Sequence, residues 1–187
     1  YRDVESAAHA VARLMNQPNT PSMLEFMDAT AITLARNIGG ADLPDAGALL
    51  MIETDGDTQQ LPQALQKLSE VARGDGCIDI SVAHSDAEQN QLLAARKALS
   101  PALRSLATGK INEDVVVPVS QVPALVRFVE KLSAEQQLLI VCFGHIGNGN
   151  VHVNILFEKN DAEQTQRAQH CAEALFTETL KLGGMLS

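Results

Sequence analysis

Two apolar runs, Leu138–Phe143 and Val151–Phe157, flank the segment Gly144-His145-Ile146-Gly147-Asn148-Gly149-Asn150, and this arrangement constrains the fold more tightly than any other stretch. Asn-Gly between apolar runs is the strongest short-range signal for a two-residue hairpin, because both residues tolerate the positive φ of a type I′ turn. With Asn148 and Gly149 at the turn centre, Gly147 faces Asn150, Ile146 faces Val151, and His145 faces His152. Directly opposed residues have Cβ atoms about 4.5–5.5 Å apart. Two imidazoles so placed could share a metal ion at about 2.0–2.1 Å per bond. The alternation puts Val151, Val153, Ile155 and Phe157 on an apolar face, and His152, Asn154 and Leu156 on the other. Two readings stay open: surface histidines on a solvated face, or a metal or catalytic pair. The pair is short of the three protein ligands that zinc normally takes, and Asn154 is a candidate to orient a ligand or a bound water.

Composition removes several function classes. The chain has 187 residues and a formal charge of −9, with one Tyr and no Trp. Nucleic-acid binding would need a clustered basic stripe or aromatic stacking platforms, and the chain has neither. No apolar run reaches membrane-spanning length. Cys77, Cys142 and Cys171 lack CxxC spacing and read as buried thiols of a reducing compartment, the cytoplasm, without a disulfide. The chain opens on Tyr1 and stops just after a helix C-cap signal at Gly183-Gly184, with Met185 entering a new element. It is therefore expected to be a fragment of a longer polypeptide.

Along the chain, Asp3–Met15 and about Leu24–Asn37 read as helices. The second is expected to stop at Gly39-Gly40, with loop from Ala41 to Asp45. Ala48–Thr54 reads as a buried strand. Thr58 and Pro62 open a helix to about Arg73, and Cys77–Val82 reads as a strand. Ser85 and Glu88 form a capping-box signature for a long helix through Arg104, with Pro101 inside it. Val115–Val117 is a strand core, Ser120 and Pro123 open a helix to about Ser133, and Asp161–Leu182 forms the last helix after the hairpin. Strands alternating with helices before a late hairpin predict an α+β fold: a mixed or antiparallel sheet with helices packed on one face, ferredoxin-like in character.

Two cations stand out in this acidic chain. Arg96 and Ser100 share one helix face, four residues apart, and Lys110 sits at the mouth of the following strand. Together they could grip a carboxylate, Arg96 through its planar fork and Lys110 as a point charge; the alternative is a pair of solvated surface cations. His84 and Glu53 lie near strand ends, and His9 and His170 lie on polar helix faces. Asn112-Glu113-Asp114 reads as a solvent-facing acidic cluster.

Met23–Asp28, Arg96–Ser100, Lys110, Glu113–Pro118 and above all His145–Asn154 carry a family resemblance. The chain resembles the C-terminal (cap, or substrate) domain of FAD-linked oxidases of the vanillyl-alcohol oxidase superfamily. The nearest branch is the glycolate oxidase, D-lactate dehydrogenase and D-2-hydroxyglutarate dehydrogenase group. The resemblance implies a separate N-terminal domain that holds FAD, and a small 2-hydroxy-acid substrate whose C2 hydride passes to the flavin. It implies His145 and His152 as ligands of a divalent metal such as Zn, with His152 also catalytic. It implies Arg96, Ser100, Lys110 and Asn154 as substrate contacts, and it allows a homodimer. In such enzymes a Gly-Glu-His-Gly segment supplies a third metal ligand and a base, and it would follow Ser187. Asn148 departs from the family's more usual Asp, and Val119 and Gln121 depart from a common arginine-rich segment. The competing reading is a stand-alone ferredoxin-like module that binds a small ligand or a protein and does no chemistry.

The chain has no Gly-x-Gly-x-x-Gly loop opening a helix and no other phosphate cradle. The isolated chain is expected to purify colourless; stoichiometric flavin absorbance near 450 nm would contradict this.

Overall fold

A computed structural model describes residues 1–37 and 43–186. The Gly39-Gly40 helix stop, the first residues of the Ala41 loop and Ser187 lie outside these residues. The described elements are α1 (Val4–Met15), β1 (Met23–Asp28), α2 (Ala29–Asn37), β2 (Ala48–Glu53), α3 (Leu61–Ala72), α4 (Asp86–Leu106) and β3 (Gly109–Val116). They continue with α5 (Val122–Gln136), β4 (Ile140–Gly144), β5 (Asn150–Phe157), α6 (Ala162–Lys181) and β6 (Met185–Leu186). Six strands form one sheet in the order β2-β1-β4-β5-β3-β6, and every pairing is antiparallel. The α+β class with an antiparallel sheet is as expected.

Local chemistry accounts for most helix ends. The side chain of Asp3 accepts from Ser6 N at 2.7 Å and opens α1; Asp161 does the same for α6 through Gln164 N at 3.0 Å. Ser85 accepts from Glu88 N at 3.3 Å, and the Glu88 carboxylate reaches back to His84 N at 2.6 Å, one residue earlier than a standard capping box. Pro62 and Pro123 occupy first turns as expected, but Thr58 and Ser120 are not the caps. Gln60 and Gln121 hold those positions without a side-chain bond. Gly183, at φ 74°, closes α6 and lets Gly184 N reach Thr179 O at 2.9 Å, which steers Met185 into β6.

Strand alternation separates two apolar layers. Leu24, Phe26, Ile140, Cys142, Val151, Val153 and Ile155 pack on one face with α1, α5, α6 and the end of α3. Met27, Val141, Phe143 and Leu156 pack on the other with Ala31, Ile32 and Ala35 of α2 and Leu99 and Leu103 of α4. Helices therefore cover both faces rather than one. The second layer is the smaller, and beside it the sheet carries polar side chains.

Three other expectations are corrected. Met23–Asp28 is a strand and not the start of a helix. Its residues from Leu24 to Asp28 are all buried, because both faces of β1 are covered. Four apolar residues broken only by Glu25 suit a helix and a two-faced strand alike, so periodicity alone could not decide. Cys77–Val82 forms no strand; Ile78 is exposed there, although Ile80 packs against the larger core.

The third correction is the hairpin. Phe143 pairs with His152 and Val141 with Asn154, two residues away from the register of a tight Asn148-Gly149 turn. Residues Ile146–Asn148 form a 3-10 turn instead, and Gly149 alone takes the left-handed conformation at φ 75°. Ile146 is fully buried in the larger core. Burying such a side chain contributes about 1.5–3 kcal/mol, more than the roughly 1 kcal/mol net of one ladder hydrogen bond. Gly149 also lies so close to β3 that a Cβ there would sit 1.8 Å from Val117 O. A shift of two keeps the parity of the strand, so His145 and His152 still belong to one face.

Asp28 ties these parts together. It is buried at the end of β1, where Oδ1 accepts from Ala31 N and Oδ2 from Cys142 N, each at 2.7 Å. Burial pushes its pKa up to about 7, against the pull of those two bonds; nearby Glu130 adds to the rise. An unfolded Asp ionises near pH 4, so between about pH 4 and 7 the unfolded chain has lost a proton that the folded chain retains. Stability from this group is present below that window and is lost as pH rises through it. In urea unfolding, Asp28→Asn should gain on the wild type by on the order of 2 kcal/mol between pH 4.5 and 7. Asp28→Ala should be less stable at every pH, because it leaves two buried N–H groups unpaired at about 1–3 kcal/mol each.

Candidate functional site

The register places a row of side chains across the second face. Met27 of β1 pairs with Phe143 of β4, Phe143 with His152 of β5, and His152 with Asp114 of β3. The next row joins Val141, Asn154 and Asn112, and Lys110 follows opposite Leu156. Extending the Phe26–Gly144 pairing by one residue brings Glu25 abreast of His145, just beyond the end of β4. From α4, Arg96 reaches the same face.

Glu25 is 5% exposed and makes two polar contacts. Its Oε2 accepts from Arg96 Nε at 2.8 Å, and its Oε1 contacts Nδ1 of His145. The guanidinium carbon of Arg96 lies 4.3 Å from the centre of the Phe143 ring, so the fork is gripped by a carboxylate and by an aromatic face. Among the described residues no other hydrogen bond engages the two Nη groups. His152 Nδ1 lies 2.5 Å from Asp114 Oδ1, which also accepts from Asn112 Nδ2 at 3.2 Å. The two imidazole rings meet edge to face with centres 5.4 Å apart. Each histidine thus has one nitrogen held by a carboxylate and Nε2 left over.

Asn154 is fully buried, with Nδ2 at 3.5 Å from both Val141 O and His152 O. That leaves its Oδ1 to accept from Lys110 Nζ at 3.1 Å. Partial burial lowers the pKa of Lys110, Arg104 adds to the fall, and Asp114 opposes it. Both carboxylates of the cluster are occupied internally. The donors that remain are the Arg96 Nη groups and Lys110, beside two imidazole nitrogens, which suits an anionic ligand that also carries a hydroxyl.

The structure brings Arg96, Lys110, His145, His152 and Asn154 into one cluster, and Arg96 is not the solvated cation of the alternative reading. Ser100 sits one turn beyond Arg96, half-buried, and forms no hydrogen bond to the cluster among the described residues. His84 and Glu53 stay outside it. Sequence reasoning missed three participants. Glu25 was hidden by the helical reading of β1, and Asp114 by its place in an acidic run. Phe143 looked like core. The period-2 alternation of β3 opposite β5 is the signal that would have found Asp114.

Among the described residues no group of three or more ligating side chains is placed to hold a metal, so His145 and His152 are at most a partial ligand set. Nor, among the described residues, is any helix long and apolar enough to cross a membrane.

The family model for "FAD linked oxidases, C-terminal domain" matches residues 1–187. The glycolate oxidase subunit GlcD of Bacillus subtilis is 26% identical over 188 residues, which cover 100% of this chain and 40% of that protein. A D-lactate dehydrogenase of Anaerostipes hadrus is 27% identical over 198 residues, 100% of this chain and 41% of that protein. The chain thus spans about two-fifths of the length of these relatives. A 4-ethylphenol oxidase from Gulosibacter chungangensis, solved with isoeugenol, superposes with a TM-score of 0.68 over 98% of this chain and 43% of its own. At 10% identity it shares the fold.

Glu25 and Arg96 form an ion pair largely removed from water, at 6% and 18% side-chain exposure. Breaking such a pair strands a charge, so Glu25→Ala should cost about 3 kcal/mol in chemical denaturation. A double-mutant cycle with Arg96→Ala should return a coupling above about 1 kcal/mol; strict additivity would contradict the contact.

Proposed function

The chain belongs to the family of FAD-linked oxidase C-terminal domains, and from that premise we propose that it is the substrate-binding cap domain of an FAD-dependent 2-hydroxy-acid dehydrogenase. The substrate class is a small 2-hydroxy acid of the D-lactate, glycolate or D-2-hydroxyglutarate kind. The observation that carries this reading is the Arg96 guanidinium, fixed at Nε by Glu25 and across its plane by Phe143, with its Nη edge uncommitted. An immobilised fork can take a carboxylate by two parallel hydrogen bonds. Lys110, two rows along the sheet and joined to Asn154, adds a positive charge, and Ser100 adds a hydroxyl on the Arg96 face of α4.

With the carboxylate gripped there, the substrate's C2 hydroxyl would face the two histidines. His152, turned by Asp114, presents Nε2 as a proton-handling group, which gives it the catalytic role. Flavin, held by another domain of the full-length protein, supplies the hydride acceptor. A divalent ion such as Zn, where one is used, would be held through the Nε2 atoms of His145 and His152 and would acidify the hydroxyl. Carboxylate-bound Nδ1 atoms are the usual outer-shell support for such ligands. A third ligand would come from outside the described residues. The reading as a stand-alone binding module has no observation of its own in its favour.

Steady-state kinetics of the full-length protein test this with D-lactate, glycolate and D-2-hydroxyglutarate and an artificial electron acceptor. Loss of a charged hydrogen-bonding partner costs about 1.5–3 kcal/mol, so Arg96→Ala should lower kcat/KM by roughly 10- to 150-fold, with Arg96→Lys between it and the wild type. His152→Ala should act mainly on kcat. A folded Arg96→Ala protein with wild-type kcat/KM on all three acids would end the carboxylate-clamp assignment.

A further inference from the structure

We propose that Glu25 is the positioning residue of the site: one buried carboxylate sets both the Arg96 fork and the ring proton of His145. This rests on the functional reading above and deepens it. Glu25 comes from β1, Arg96 from α4, and His145 from the loop beyond β4, so three distant parts of the chain converge on two oxygens. At 5% exposure the carboxylate has almost no water to turn to, and each oxygen has one partner.

The donors differ in what they can surrender. Arg96 Nε–H is always a donor, whereas His145 can carry its single neutral-state proton on either ring nitrogen. An ionised carboxylate accepts from both, which places the His145 proton on Nδ1 and leaves Nε2 as a bare electron pair. The same contact anchors the guanidinium at Nε and leaves its Nη edge for a ligand. The end of the site that grips an anion and the end that meets its hydroxyl are thereby set by one side chain.

Glu25→Gln separates this role from simple packing, because it preserves shape and removes only one acceptor. Its oxygen must turn to Arg96 Nε–H, so its NH2 faces His145 Nδ1. That nitrogen can accept only if the ring proton moves to Nε2. The bare electron pair is then lost while the Arg96 contact survives.

The test uses the full-length protein with its flavin, labelled with 15N in histidine and read at pH 8, where long-range 1H–15N correlations distinguish the tautomers and His145→Ala gives the assignment. In the wild type His145 should carry its proton on Nδ1, and in Glu25→Gln on Nε2. Loss of an outer partner of this kind typically costs 10- to 100-fold in activity, so kcat of Glu25→Gln should fall by roughly that factor while KM stays within about threefold. Glu25→Ala, which frees both partners, should lower kcat and raise KM. A wild-type His145 with its proton on Nε2 overturns the proposal without any variant. So does a Glu25→Gln protein with an unchanged tautomer or unchanged kcat. If the tautomer switch appears but the wild type oxidises no 2-hydroxy acid, the functional reading falls, and with it the link to substrate, while the hold of Glu25 on His145 stands.

Discussion

The short pairing of β1 with β4 is the interaction on which the rest depends. It consists of two residue pairs, Phe26 with Gly144 and Met27 with Phe143. Alone, so brief a ladder contributes little. Asp28 reinforces it by accepting from Cys142 N across the same boundary while it caps α2. Through this junction the N-terminal segment joins the hairpin as one sheet, with β2 beyond it on one side and β5, β3 and β6 on the other. If β1 slipped by one residue, Glu25 would enter the apolar layer of α1, α5 and α6, and Arg96 and His145 would lose their shared acceptor.

The two helical layers divide the labour. The larger one, over Leu24, Phe26, Cys142, Val153 and Ile155, supplies most of the buried apolar surface. The smaller one, from α2 and α4, covers only part of the opposite face. Strands with both faces fully covered would leave nowhere for Lys110, Asp114 and His152. Half-coverage lets these side chains sit beside apolar neighbours such as Phe143 without being sealed under a helix. The polar groups are not left to water alone. Asn154 is held by two backbone carbonyls, His152 by Asp114 and Arg96 by Glu25, so these side chains keep little freedom.

Several features were legible in the residues themselves. The alternation from Val151 to Phe157 assigned β5 its faces, and the Ser85 cap marked the start of α4. Gly183 marked the end of the last helix. The glycine- and histidine-rich segment singled out His145 and His152, whose rings do meet, and Arg96 was singled out as a cation of possible consequence, which does reach the same face. Each of these signals is local: a period of 2, a side chain three residues from the amide it caps, or a helix end whose positive φ favours glycine.

Tertiary structure decided what local signals left degenerate. Met23–Asp28 satisfies a helical stripe as well as a two-faced strand, and only its neighbours β2 and β4 settle which. The hairpin register turned on whether Ile146 could reach the core and Gly149 could lie against Val117, both matters of packing and not of turn propensity. Asp114 became a histidine partner because β3 lies beside β5, a pairing across 38 residues; Glu25 met Arg96 across 71. Sequence determined which residues could do chemistry, since that follows from the atoms they carry. Which of them meet was decided by long-range strand pairing, because an antiparallel register is set by packing on both faces at once and leaves no trace in either strand alone.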